Sequence, residues 1–191
     1  MTERYAAKLT TRSARATHAL GARLGKLVAP GDVVALVGEL GAGKTQLVRG
    51  ACDGAGVARE EVSSPSFAIV ATYRGRIPVH HADLYRIGDP DELYGTGFGD
   101  LVGGDGALLV EWADRIPSAL PDERLTVTLS HDARRPDVRH VELVGKGERA
   151  AALAAKLAPR SRRPRPGPGS RSRPRSRSRS RSKTRTKSKT K

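Results

Sequence analysis

One cysteine in 191 residues, Cys52, leaves no partner for an intrachain disulfide and no set of thiolates for a metal cage, and it fits a reducing compartment. No apolar run approaches the roughly 18 residues that a membrane span needs, and the N-terminal segment is interrupted by Glu3, Arg4, Lys8, Arg12 and Arg15. A soluble cytoplasmic protein without membrane contact is the expectation. Acidic residues are missing altogether from 159–191, where 15 basic residues stand, so residues 1–158 hold 20 basic against 20 acidic side chains. The net charge of +15 therefore belongs to the tail, and a uniformly basic nucleic-acid-binding fold is excluded. The tail also lacks apolar residues, so it cannot offset the entropy of ordering and is expected to be disordered. The reading is two parts, a folded domain over 1–158 and a basic Arg/Ser/Lys-rich tail over 159–191. No internal repeat of 20–50 residues occurs in the folded part.

Residues 5–11 suit a short edge strand. Ser13 caps a helix whose apolar face runs through Ala16, Leu20, Leu24 and Val28 until Pro30-Gly31 stops it. Val33-Val34-Ala35-Leu36-Val37 is a continuous aliphatic run too short for a helix, the pattern of a parallel strand covered on both faces. A loop over 38–43 leads to a helix from Lys44 to about Asp53, closed by Gly54 and Gly56. Residues 67–73 and 77–82 flank Arg74-Gly75-Arg76 as a hairpin. A short helix near Asp91 precedes a glycine-rich stretch, 95–106, expected to be mobile. Ala107-Leu108-Leu109-Val110 is a second buried strand ending at Glu111-Trp112. Residues 124–130 and 138–144 read as strands, and 148–157 as a helix. The fold class is α/β, a P-loop NTPase-like mixed sheet with a parallel core and an antiparallel hairpin, flanked by helices.

Gly38-Glu39-Leu40-Gly41-Ala42-Gly43-Lys44-Thr45 matches G-x-x-x-x-G-K-[ST], between a buried strand and a helix as that motif requires. Its glycines let backbone amides converge on phosphate oxygens, Ala42 and Gln46 lie within reach of the same group, Lys44 reaches the terminal phosphates, and the Thr45 hydroxyl suits magnesium. ATP and Mg2+ are the implied ligands. A second acidic group must assist the metal from a neighbouring strand end, and Glu111 is the candidate, with Trp112 as a wall of the site. Asp83 ends the second hairpin strand and suits orientation of the attacking water or completion of the metal shell, Ser66 a γ-phosphate contact, and Arg86 either phosphoryl charge or a surface ion pair. His80 and His81 are adjacent on a strand, so they point to opposite faces and do not share one metal.

These residues together resemble the TsaE (YjeE) family, small bacterial P-loop ATPases needed for threonylcarbamoyladenosine in tRNA. The family's G-x-L-G-A-G-K-T loop followed by R-G is matched by Gly38 to Thr45 with Arg49-Gly50, its S-P-T-[FY] by Ser64-Pro65-Ser66-Phe67, its H-x-D-L-Y-R by His81 to Arg86, and its E-W by Glu111-Trp112. Two positions depart from the pattern. Glu39 stands for Asp and Ser66 for Thr, and each keeps the functional group. The resemblance implies ATP hydrolysis serving a protein complex, with the modification of position 37 adenosine carried out by a TsaD-type transferase and its TsaB-type paralogue. It assigns Thr45 and Glu111 to magnesium, Lys44 and the loop to phosphates, Asp83 to the water or metal shell, and Ser66 to a switch-like contact. It places the base near residues 10–17.

The tail is outside that resemblance. Its alternating Arg-Ser and Lys-Thr runs suit polyanions such as tRNA, held in a salt-dependent way, or serve only solubility. Two other functions use the same loop: a small P-loop kinase, and an RNA-binding nucleotide switch working through the tail. The kinase reading wants an arginine-bearing lid, and residues 95–106 contain no arginine.

Overall fold

The computed structural model describes residues 3–58, 62, 65 and 69–159. Seven strands form one sheet in the order β1-β7-β6-β2-β5-β4-β3. β1 is Arg4–Thr11, β2 Val33–Val37, β3 Val70–Arg74, β4 Pro78–Asp83, β5 Ala107–Glu111, β6 Arg124–His131 and β7 Arg139–Lys146. The contiguous set β6-β2-β5-β4 is parallel, while β1, β7 and β3 are added antiparallel at the two flanks. The mixed sheet with a parallel core is as expected. All described residues belong to one compact unit, Met1–Pro159.

The aliphatic run of β2 is explained by burial on both faces. Val34 and Leu36 face a core shared with Leu109 of β5 and the helices α1 (Ala14–Gly25), α2 (Lys44–Ala55) and α5 (Glu148–Leu157). Val33 and Ala35 face the opposite core with Leu108, Val110 and Phe98. Alternation thus exists, but both phases are apolar because both sides are covered.

α1 starts at Ser13, whose side chain accepts from the Ala16 amide at 3.1 Å, and it ends at Gly25 rather than continuing to Val28. It lies against α2 at backbone distance. A Cβ on Gly21 would sit 2.0 Å from the Leu47 carbonyl oxygen, and one on Gly50 2.0 Å from that of His18. Gly54 belongs to the same contact, facing the Ala22 carbonyl, so it is a packing residue inside α2 and not its terminator. The helix closes at Gly56, with φ 84°.

Two other expectations need correction. The hairpin's first strand begins at Val70, because Ile69 takes a φ of 60° that breaks the extended path; Phe67 and Ala68 lie outside the described residues. The glycine-rich stretch contains a short helix, α4 (Phe98–Leu101), following α3 (Asp91–Tyr94), and Phe98 is fully buried in the second core. The basic tail, like Ser63, Ser64 and Ser66, lies outside the described residues.

Candidate functional site

The loop after β2 is shaped by its glycines. Gly38, Gly41 and Gly43 have φ of 148°, 75° and 102°, and a Cβ on Gly38 would meet the Leu129 carbonyl oxygen at 2.3 Å. Gly43 caps α2, and Leu47 N–H donates to its carbonyl at 3.0 Å. The loop therefore delivers the N-terminus of α2 to the carboxyl edge of the parallel strands, where the free amides of the first turn and the helix dipole favour an anion.

Parallel pairing brings the remaining groups to that edge. Asp83 of β4 stands in register with Glu111 of β5, so both carboxylates leave the sheet at one level. Glu111 is buried, and its Oε2 accepts from Thr45 Oγ1 at 2.9 Å. Its Oε1 lies 2.9 Å from His81 Nε2, and His81 is wholly buried. Asp83 Oδ1 accepts from the Tyr85 amide at 3.0 Å, which fixes the turn leaving β4.

Lys44 Nζ donates to the carbonyls of Gly38 at 2.6 Å and Glu39 at 3.0 Å and sits 3.6 Å from the centroid of the Trp112 ring. Burial pulls its ammonium below the ordinary lysine range, and the nearby carboxylates of Glu111, Asp114 and Asp83 oppose that shift. Trp112 takes a φ of 58°, a left-handed conformation that costs on the order of 1–3 kcal/mol for a side-chain-bearing residue. That kink sends the ring back over the lysine, with the Tyr85 ring tilted against it at 4.9 Å between centroids. The tryptophan expected as a wall is also the platform for the lysine.

The resulting cleft, about 480 Å³, is lined by Gly41, Lys44, Thr45, Asp83, Glu111 and Trp112, with Gln46 and Arg86 at its sides. Of the sequence-predicted residues, the structure thus gathers the loop, Lys44, Thr45, Gln46, Asp83, Glu111 and Trp112; Ala42 is buried beneath the loop, and Ser66 lies outside the described residues. The histidine pair divides as alternation requires: His80 bonds Thr72 on the other face, at 3.0 Å, and His81 turns toward Glu111. Near the expected base position, the buried Thr11 and Thr17 hydroxyls bond each other at 2.7 Å.

Sequence reasoning missed three contributors. Arg139 of β7 donates to the carbonyls of Ala42 at 3.2 Å and Gly41 at 3.3 Å, and His131 at the end of β6 reaches the Leu40 carbonyl at 3.3 Å. Neither lies near the loop in sequence, and the β7-β6 and β6-β2 pairings bring them there. His81 carried a usable signal, since alternation puts it on the face of Asp83.

The arrangement fits a phosphate ester with a divalent ion. The loop cradle tolerates no side chain at Gly38, and an ammonium, a hydroxyl and a carboxylate converge beside it. Among the described residues no group of three or more His, Cys, Asp or Glu is placed to hold a metal. A hydroxyl plus one carboxylate is the partial oxygen set that magnesium shares with substrate phosphates and water.

A sequence profile described as "Threonylcarbamoyl adenosine biosynthesis protein TsaE" matches residues 11–140. The chain belongs to the TsaE family. A Bacillus subtilis protein named tRNA threonylcarbamoyladenosine biosynthesis protein TsaE is 36% identical over 143 residues, covering 74% of this chain and 87% of its own. The Streptomyces coelicolor protein of the same name is 40% identical over 138 residues, 69% of this chain and 92% of its own. The crystal structure of Bacillus subtilis YdiB superposes with a TM-score of 0.66 at 30% identity, covering 82% of this chain and 95% of that one. TsaE membership ties the chain to tRNA threonylcarbamoyladenosine biosynthesis. No helix among the described residues is long and apolar enough to cross a membrane.

Proposed function

We propose that this chain is a magnesium-dependent ATPase that supports the modification of position 37 adenosine in tRNA, working in the cytoplasm with a TsaD-type transferase and its TsaB-type paralogue. The observation that carries the reading is the 2.9 Å bond from Thr45 Oγ1 to Glu111 Oε2, which closes the gap between the first turn of α2 and the end of β5 beside the glycine cradle.

In this reading the amides of residues 41–45 bind the phosphates. Lys44 exchanges the Gly38 and Glu39 carbonyls for phosphate oxygens, moving a charge that is already partly desolvated. Thr45 and Glu111 would hold magnesium, which would supply positive charge against the phosphates. Asp83 orients a water molecule for attack on the γ-phosphorus; the bond to the β-phosphate oxygen breaks, leaving ADP and inorganic phosphate, and the proton of the water passes to solvent or phosphate. Trp112 and Tyr85 limit water at one wall of the cleft. The domain over 1–158 carries this chemistry, and the basic segment 159–191 is accessory, suited to tRNA or another polyanion.

Steady-state phosphate release, measured with and without the two partner proteins and with Mg2+ or EDTA, tests the reading. ATP-dependent, EDTA-sensitive release is expected. Nucleotide-independent support of the modification reaction would refute it.

A further inference from the structure

We propose that His81 is a positioning residue for the metal-binding carboxylate, an inference that rests on the nucleotide reading above and deepens it. His81 and Asp83 are two residues apart on β4 and share a face, and Glu111 lies one diagonal step away on the neighbouring strand, because His81 is in register with Leu109. An ionised carboxylate only accepts, so the imidazole proton of the 2.9 Å contact sits on Nε2. Glu111 is thereby gripped at both oxygens, Oε2 by Thr45 and Oε1 by His81, and its plane cannot rotate without breaking one of the two bonds.

The other side of the ring shows that packing alone does not explain this histidine. Nδ1 is fully buried and has no hydrogen-bond partner among the described residues, and the Tyr73 ring stands 6.4 Å away at a tilt. His81 sits on the apolar core face with Val79 and Leu109, where a leucine would leave no polar atom unsatisfied. The orphaned Nδ1 is the cost of placing an N–H at Oε1. Groups that orient a metal ligand in this way typically change metal affinity by about 10–100-fold when removed.

The test uses side-chain reach. A glutamine at this position carries its amide N–H about as far as Nε2, an asparagine only about as far as Nδ1, and a leucine fills space without a donor. Wild type, His81→Leu, His81→Gln and His81→Asn are saturated with ADP, and Mn2+ binding is followed by electron paramagnetic resonance, with ADP affinity in EDTA measured by calorimetry and folding by thermal unfolding. Mn2+ affinity is expected to fall about 10–100-fold in the Leu and Asn variants and to recover most of that loss in the Gln variant, while ADP affinity in EDTA stays at the wild-type value throughout. Unchanged Mn2+ affinity in His81→Leu, or a Gln variant as weak as the Asn variant, would overturn the positioning role. If His81→Leu does not fold, the comparison of Gln with Asn decides alone. Wild-type protein that binds no ADP in EDTA would instead remove the nucleotide reading, and the positioning role with it.

Discussion

The hydroxyl of Thr45 and the carboxylate of Glu111, 66 residues apart in the chain, meet at 2.9 Å across the carboxyl edge of the parallel core. One comes from the first turn of α2 and the other from the last residue of β5, so the bond joins the end of the glycine loop to the sheet. Glu111→Gln keeps the shape and an oxygen but loses the charge. Magnesium-dependent turnover is expected to fall by at least about 10²-fold, the scale of losing a preorganised charged group, while nucleotide still binds in EDTA. Phosphate release and calorimetry on the same preparation separate the two effects.

Arg139 braces the loop from β7 through the Gly41 and Ala42 carbonyls. Arg139→Ala removes hydrogen bonds from a charged donor, each worth about 1.5–3 kcal/mol when buried and less at this half-exposed position. Nucleotide affinity is expected to weaken with little loss of global stability, as read by calorimetry against thermal unfolding. An unaltered affinity would show that the loop holds its shape without the brace.

The α1-α2 contact is packed at backbone distance. Gly21→Ala forces a methyl group toward the Leu47 carbonyl, which lies 2.0 Å from the added carbon, and the opposing group is backbone that cannot rotate away. Destabilisation of at least about 1–3 kcal/mol is expected, because overpacking at rigid backbone is relieved only by moving a helix. Denaturant unfolding measures it. Gly95→Ala, where nothing among the described residues lies within 4 Å, is the control.

Burial pushes the Cys52 thiol up to about 12 from 9.0, with Asp53 adding to the shift. The unfolded chain therefore releases the thiol proton before the folded one does, and this group's contribution makes stability fall as pH rises from about 9 to about 12. Cys52→Ala should flatten that part of the profile. Native protein should resist a thiol reagent that labels it rapidly in denaturant.

Much of the site was legible because its parts are local. The loop glycines, Lys44 and Thr45 form one continuous motif, and Glu111 ends an aliphatic run that can only be a covered strand. Register was not legible. That Asp83 stands level with Glu111, and that His81 lies one diagonal step from it, follows from the parallel pairing of β4 with β5, a long-range choice that spacing does not encode. Arg139 and His131 reach the loop for the same reason, from strands far along the chain. Gly54 was misread as a stop because a glycine in a helix looks alike whether it ends the helix or admits a neighbouring backbone. The short helix around buried Phe98 was not legible either, because the glycines flanking it carry no helical signal.

The most direct measurement is a calorimetric titration of ATP into wild-type protein and Lys44→Ala, each with Mg2+ and with EDTA. Saturable binding by the wild type, tightened by Mg2+ and lost in Lys44→Ala, is the predicted result. No heat from the wild type under either condition, or equal binding by both proteins, would contradict the assignment of this cleft to a nucleoside triphosphate and its metal.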